Sequence, residues 1–195
     1  MRALRGGVPA GLVLACSSLA TTDGSWSTAA PIPIRVQEMH AAVLGGRIYI
    51  AGGFDSSNAP TAAAFRYDPA TNQWEPIGDL PSPRHHAPLA VANDSLYLVG
   101  GLVPPGFTPT DQLLVYRADL DQWQARAPLP TPRGASAVGV VGGKVVVVGG
   151  LGPNGQHADS TAVYDPAADS WLNRAPILTR RDHLAAAEVN GIVYA

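Results

Sequence analysis

The chain has 195 residues, a formal net charge of −2, 46 % hydrophobic and 14 % charged residues. No basic run is present to neutralise phosphates, so nucleic acid is excluded as a partner, and 21 Gly with 18 Pro favour many turns and short elements over long helices. A single cysteine, Cys16, rules out an internal disulfide and a Cys-based zinc site.

In chain order, the first predicted element is a leader. In "MRALRGGVPAGLVLAC", Arg2 and Arg5 give a positive start, Val8 to Ala15 form a short apolar run, and the small Ala15 precedes Cys16. That is the layout of a secretory signal. "VLAC" resembles the lipobox of bacterial lipoproteins, and the resemblance implies that Cys16 becomes the lipidated first residue. Residues 1–15 are therefore expected to be a lipoprotein-type signal peptide. The mature chain, 16–195, is expected at the cell envelope, touching membrane only through an anchor on Cys16. No other stretch approaches the roughly 20 apolar residues that span a bilayer.

Beyond the leader the sequence repeats. Trp26, Trp74, Trp123 and Trp171 are 48, 49 and 48 residues apart, and Gly pairs begin at 52, 100 and 149. Tyr67, Tyr116 and Tyr164 keep the same period, as do Arg84, Arg133 and Arg181. A fixed period of this length marks a repeat architecture. Within one unit, 85–126, four short apolar segments alternate with turn formers: "HHAPLAVA", "SLYLVGG", "DQLLVYRA" and "QWQARAPL". Their length and bounding residues predict strands, and none keeps helical spacing. The spacing places inner strands near 85–91 and 134–141, with each Gly pair at a strand end where a neighbouring unit comes close. Four strands per repeat predict an all-β propeller with one four-stranded antiparallel blade per unit.

The order of an apolar strand, a strand ending in Gly-Gly, a Tyr in "YDP" and a Trp resembles the Kelch repeat. "YDPATNQW" (67–74) and "YDPAADSW" (164–171) match well; "YRADLDQW" (116–123) keeps Tyr116 and Trp123 but loses the Asp-Pro pair. Complete blades are expected at about 39–77, 85–126 and 134–174. A strand near 24–30, carrying Trp26, resembles the last strand of a further blade, and 183–195 supplies only the beginning of another. Propellers typically have about four to eight blades, so an incomplete ring is expected, with "NGIVYA" (190–195) marking a cut inside a unit.

Two loop sets vary most: "FDSSNAPT" (54–61), "LVPPGFTPT" (102–110) and "LGPNGQHAD" (151–159) after the Gly pairs, and "PSPRHH", "PTPRGA" and "LTRRDH" before the inner strands. In Kelch domains that capture acidic peptides these loops form the binding face, and an Arg of the second set contacts carboxylates. The resemblance thus makes Arg84, Arg133 and Arg181 ligand-binding candidates, with Arg35 a less secure equivalent. The planar guanidinium suits a carboxylate, but an Arg that bonds neighbouring backbone carbonyls would give the same pattern. His85, Asp55, Asn58, Phe107, Asn154 and His157 complete the candidate set. No metal site, cofactor or catalytic residue is expected in this segment: the histidines follow the repeat, and no nucleophile motif accompanies Asp182-His183 with Ser136 or Ser160. The function expected is an exported, non-catalytic module that binds a protein or glycan through its loop face. The alternative is a fragment of an envelope carbohydrate-active Kelch propeller enzyme, related to sialic-acid epimerases or oxidases.

Overall fold

The computed structural model describes residues 27–195. Residues 1–26, Cys16 and Trp26 among them, lie outside the described residues, and so do the signal peptide and lipidation site expected there and the first part of the strand expected near 24–30. The first blade is a meander of β1 (His40–Leu44), β2 (Arg47–Ala51), β3 (Ala64–Asp68) and β4 (Gln73–Ile77). The second uses β5 (Leu89–Ala92) and β6 (Ser95–Val99). A ribbon of β7 (Leu102–Val103) and β8 (Thr108–Pro109) rises in its loop before β9 (Leu113–Arg117) and β10 (Gln122–Arg126) complete it. The third contains β11 (Ala137–Val141), β12 (Lys144–Val148), β13 (Thr161–Asp165) and β14 (Ser170–Arg174), and a hairpin of β15 (Ala187–Val189) and β16 (Ile192–Tyr194) follows. All pairings are antiparallel. The sole helical turn among the described residues is a 3-10 turn at Pro153–Gly155. The inner strands β1, β5 and β11 are successive neighbours, and the last hairpin packs on β11.

The second blade is covered on both faces, which is why "LYLV" (96–99) and "LLVY" (113–116) are continuously apolar. Side chains alternate across a strand. Leu96, Leu98, Leu114 and Tyr116 pack towards the first blade against Tyr49, Ala51 and Ile77. Tyr97, Val99, Leu113 and Val115 pack towards the third against Val145, Val147 and Tyr164. The outward faces of the array are looser: Val43 and Leu172 are 63 % and 53 % exposed.

Blades are also clasped by hydrogen bonds. The indole N–H of Trp123 donates to the Gly78 carbonyl at 2.8 Å, while Asp121 Oδ1 accepts from the Gly78 N–H at 2.7 Å and from the Tyr116 hydroxyl at 2.5 Å. Trp171, Asp169 and Tyr164 grip Ala127 in the same way, and Trp74, Asn72 and Tyr67 grip Ala30. Both backbone groups of one residue leaving the preceding blade are thereby satisfied, as buried or half-buried amides require. Asn72, Asp121 and Asp169 hold φ of 54°, 51° and 45°, a conformation that Asn and Asp tolerate. The Tyr bond, then the backbone N–H, lowers the Asp121 and Asp169 carboxyls below their usual range.

The Gly pairs sit where blades nearly touch. A Cβ on Gly52, Gly100 or Gly149 would lie 2.5, 2.2 or 2.7 Å from the carbonyl oxygen of Arg84, Arg133 or Arg181 in the next unit. That same oxygen accepts from the N–H of Gly53, Gly101 or Gly150 at 2.8–2.9 Å. Close approach of a neighbouring blade is thus the physical reason for the pair.

The inner strands start later than expected. Residues 85–88 and 134–136 are lead-in turns, and Glu38, His86, Ala135 and His183 adopt φ of 54°, 55°, 52° and 49°. The N–H of His86 donates to the carbonyl of Glu38, that of Ala135 to His86, and that of His183 to Ala135. A staircase of single backbone bonds therefore joins successive units at their inner end, drawing the chain out of strand geometry.

Candidate functional site

The β2–β3 loops and the segments entering each inner strand share one end of the array. Isolated bridges connect them: Gln37 with Phe54, His85 with Leu102, and Gly134 with Leu151. This loop face gathers most of the expected site residues, but not in the roles expected.

Two of the three arginine candidates are corrected. Arg84 and Arg133 are 0 % and 1 % exposed. The Arg84 guanidinium donates to the Gly100 carbonyl at 3.2 Å, to Gln112 Oε1 at 2.6 Å and to Ser82 Oγ at 2.8 Å. Arg133 donates to the carbonyls of Gly149 and Ser160 at 3.3 and 3.1 Å. Both are blade staples that satisfy backbone carbonyls, and neither guanidinium is free for a ligand. Burial without a carboxylate partner disfavours the charge and lowers Arg84 to about 10, with Arg133 lowered for the same reason. Arg181 is exposed. Arg35 is not their equivalent. Since Gln37 takes the bridge made by His85 and Gly134, the first unit places Val36 at the Arg84 position, and Val36 Cγ2 fills the space before Gly53.

Asp55 and Asn58 fold their own loop. Asp55 Oδ1 accepts from the Ser57 N–H and hydroxyl and from the Ala59 N–H at 2.6–3.1 Å, and Asn58 Oδ1 accepts from Gln37 Nε2 at 3.0 Å. Ser57 chiefly, through its hydroxyl, lowers the Asp55 carboxyl. Together with Arg35 and Phe54 they line an open cavity of about 250 Å³.

Phe107 and Asn154, from neighbouring loops, do come together. They face one groove of about 650 Å³ between the 102–110 and 151–159 loops, walled by Leu102, Pro109, Pro132 and Leu151. Among the described residues no charged side chain lines it. Phe107 is 48 % exposed, and it and Asn154 hold φ of 55° and 63° at their loop tips. An aromatic displayed from such a backbone, beside an apolar floor, is the kind of surface that anchors a partner.

His85 is buried between the loops, its ring 4.0 Å from Phe54 and 4.7 Å, edge-on, from Phe107. His157 Nδ1 lies 2.9 Å from Asp182 Oδ1. Sequence reasoning missed that Glu38, His86, Asp182 and His183 join these rings; the only sign was their common position before the inner strands. Ser136 is buried and its hydroxyl bonds neither His183 nor any other side chain among the described residues. Among the described residues no three His, Cys, Asp or Glu side chains are placed to hold a metal ion.

A family model described as the KLHDC2/KLHL20/DRC7 Kelch-repeats domain matches residues 12–193. Kelch-like protein terF of Aspergillus terreus is 33 % identical over 91 residues, 44 % of this chain and 20 % of that protein. Kelch repeat and BTB domain-containing protein 1 of Cowpox virus is 31 % identical over 84 residues, 42 % of this chain and 15 % of that protein. Kelch-like protein 25 of Xenopus tropicalis is 38 % identical over 79 residues, 40 % of this chain and 13 % of that protein. The matched segments therefore span a fifth or less of these relatives. The solved structure of YjhT superposes with a TM-score of 0.73 over 86 % of this chain and 60 % of that one, at 19 % identity, a likeness of fold alone.

Proposed function

The chain belongs to the Kelch-repeat β-propeller family, and from that premise we propose that it is a binding module whose uncharged loop-face groove, walled by Phe107, holds a segment of a partner protein. The observation that carries this reading is the groove itself: an exposed aromatic over Leu and Pro side chains from two successive blades. A protein segment fits better than a glycan. Sugars present many hydroxyls, and among the described residues the only polar side chains lining the groove are Thr108 and Asn154. Apolar anchors in a desolvated pocket are the usual source of affinity in protein recognition. The leader sequence supports a place outside the cytoplasm, with Cys16 as anchor, where such a module would meet envelope or extracellular proteins.

Panning a displayed peptide library against the immobilised full chain at pH 7.5 tests the reading. Selected peptides should lose about tenfold or more in affinity for Phe107→Ala, as loss of a central aromatic anchor predicts, and keep it for Leu172→Ala on the outer strand. Peptides that ignore Phe107→Ala, or an empty selection, refute it.

A further inference from the structure

Beside the groove lies a chain of titratable side chains drawn from all four units. Glu38 Oε2 meets His86 Nε2 at 3.1 Å. The His86 ring stands edge-on to His183 at 4.6 Å. His183 Nδ1 meets Asp182 Oδ2 at 3.1 Å, and Asp182 Oδ1 meets His157 Nδ1 at 2.9 Å. His85 branches from the middle: its Nδ1 is in contact with His86 Nδ1, its ring is 4.6 Å from the His86 ring, and its buried Nε2 has no partner among the described residues. The other faces of His85 are Phe54 and Phe107. His40, on β1, is the remaining ionisable neighbour of His86. Arg84, adjacent in sequence, turns its guanidinium into its own blade.

Proton counting shows what this arrangement tolerates. Two nitrogens in contact share one proton, since one must donate and the other accept. The neutral pair does so, with His86 Nε2–H donating to Glu38. One added proton makes His86 an imidazolium between Glu38 and the lone pair of His85 Nδ1, but His85 must then carry its own proton on Nε2, which has no acceptor among the described residues. A further proton, on His85 Nδ1, sets two N–H groups head to head. The rings must then part, and His85 leaves its seat between Phe54 and Phe107. We propose that acidification releases His85 from this cluster and with it the Phe107 wall of the groove, so that the loop face is a proton-linked binding surface. The linkage to binding rests on the groove reading; the opening itself does not.

The direction of the shifts agrees. Burial first, then the charges of His86 and His183, lower His85 to about 4. Burial also lowers His86, with Glu38 and Asp182 opposing and His183 reinforcing. Burial and then His86 lower His40. A histidine held below its ordinary value near 6.5 stabilises the closed state above that pH and loses this contribution as pH falls towards about 4. If opening restores an ordinary histidine, the ratio of closed to open falls by about 30-fold between pH 7.5 and pH 5.

Hydrogen exchange of the full chain at pH 7.5 and pH 5.0, corrected for intrinsic rates, tests the opening without any partner. Protection in 54–61 and 102–110 should fall by roughly 10–30-fold at pH 5.0, while β5, β6, β11 and β12 keep theirs. His85→Phe, which retains a ring but no proton site, should abolish the difference. Should that variant not fold, NMR titration of the wild-type imidazoles serves instead: His85 should titrate well below 6.5. Equal protection at both pH values, uniform loss in every strand, an unchanged response in His85→Phe, or ordinary titration of His85 overturns the proposal. Failure of library peptides at pH 7.5 would instead count against the groove.

Discussion

Replacing Gly100 with Ala tests how blades are held apart. Its φ is +58°, and a Cβ there would lie 2.2 Å from the Arg133 carbonyl oxygen and 3.2 Å from that of Thr110. The Arg133 oxygen cannot withdraw freely, because it accepts from the Gly101 N–H at 2.9 Å and its own side chain is tied to Gly149 and Ser160. Gly106→Ala is the matched control: φ is +76° and nothing lies within 4 Å of its Cβ. Both variants carry the left-handed backbone penalty, about 1–2 kcal/mol. Only Gly100→Ala adds the cost of forcing two backbones apart, about 1–3 kcal/mol by analogy with overpacked cores. At about 2–4 °C per kcal/mol for a chain of this size, Gly100→Ala should melt roughly 2–12 °C below Gly106→Ala. Far-UV circular dichroism melts and urea titrations of the two variants and the wild type measure the difference. Equal stability of the two alanine variants would refute close blade approach as the reason for the pair.

The Asp121 clasp contains its own control, since Asn72 does the same work in the first blade: Asp121→Asn should stay within about 0.5 kcal/mol of wild type, whereas Asp121→Ala should cost about 1–2 kcal/mol in urea unfolding. Because its carboxyl is lowered by the Tyr116 bond and then by Gly78 N–H, the Asp121 contribution is present at neutral pH and is lost as pH falls through that lowered value; Asp121→Asn should flatten this part of an acid unfolding curve. Arg84→Ala removes a buried side chain and its bonds and should cost about 3 kcal/mol or more. Exposed Arg181→Ala should leave thermal stability within about 0.5 kcal/mol.

The blades were legible because period, strand length and turn residues all point the same way, and the Gly pair was legible because only a missing Cβ suits its place. The clasp was not. An Asn or Asp two residues before each Trp reads locally as a turn former, and its second task concerns a residue about 43 positions earlier in the chain. Arg84 and Arg133 misled for a related reason: a repeated Arg that staples backbone and one that meets a ligand leave the same trace, and only burial separates them. Val36 holds the Arg position of the first unit, as the Gln37 bridge to Phe54 shows, and the spacing already hinted at it, since Arg35 is one residue further from its Gly pair than Arg84 and Arg133 are from theirs. The inner turn was hidden because its residues, Glu38, His86, Ala135 and His183, share a backbone conformation while their side chains range from Glu to His to Ala. The groove was half legible: Phe107 and Asn154 stood out as loop-tip residues, but their meeting depends on how neighbouring loops lean together.

The loop face as binding surface is tested most directly by mapping backbone amide and side-chain methyl NMR shifts of the full chain at pH 7.5 as a library-selected peptide is added. The largest changes should cluster in 102–110 and 151–159, extend to Leu102 and Leu151, and vanish in Phe107→Ala. Changes centred instead on β4, β10 and β14, or on the opposite turns at Gly45-Gly46, Asn93-Asp94 and Gly142-Gly143, would contradict it.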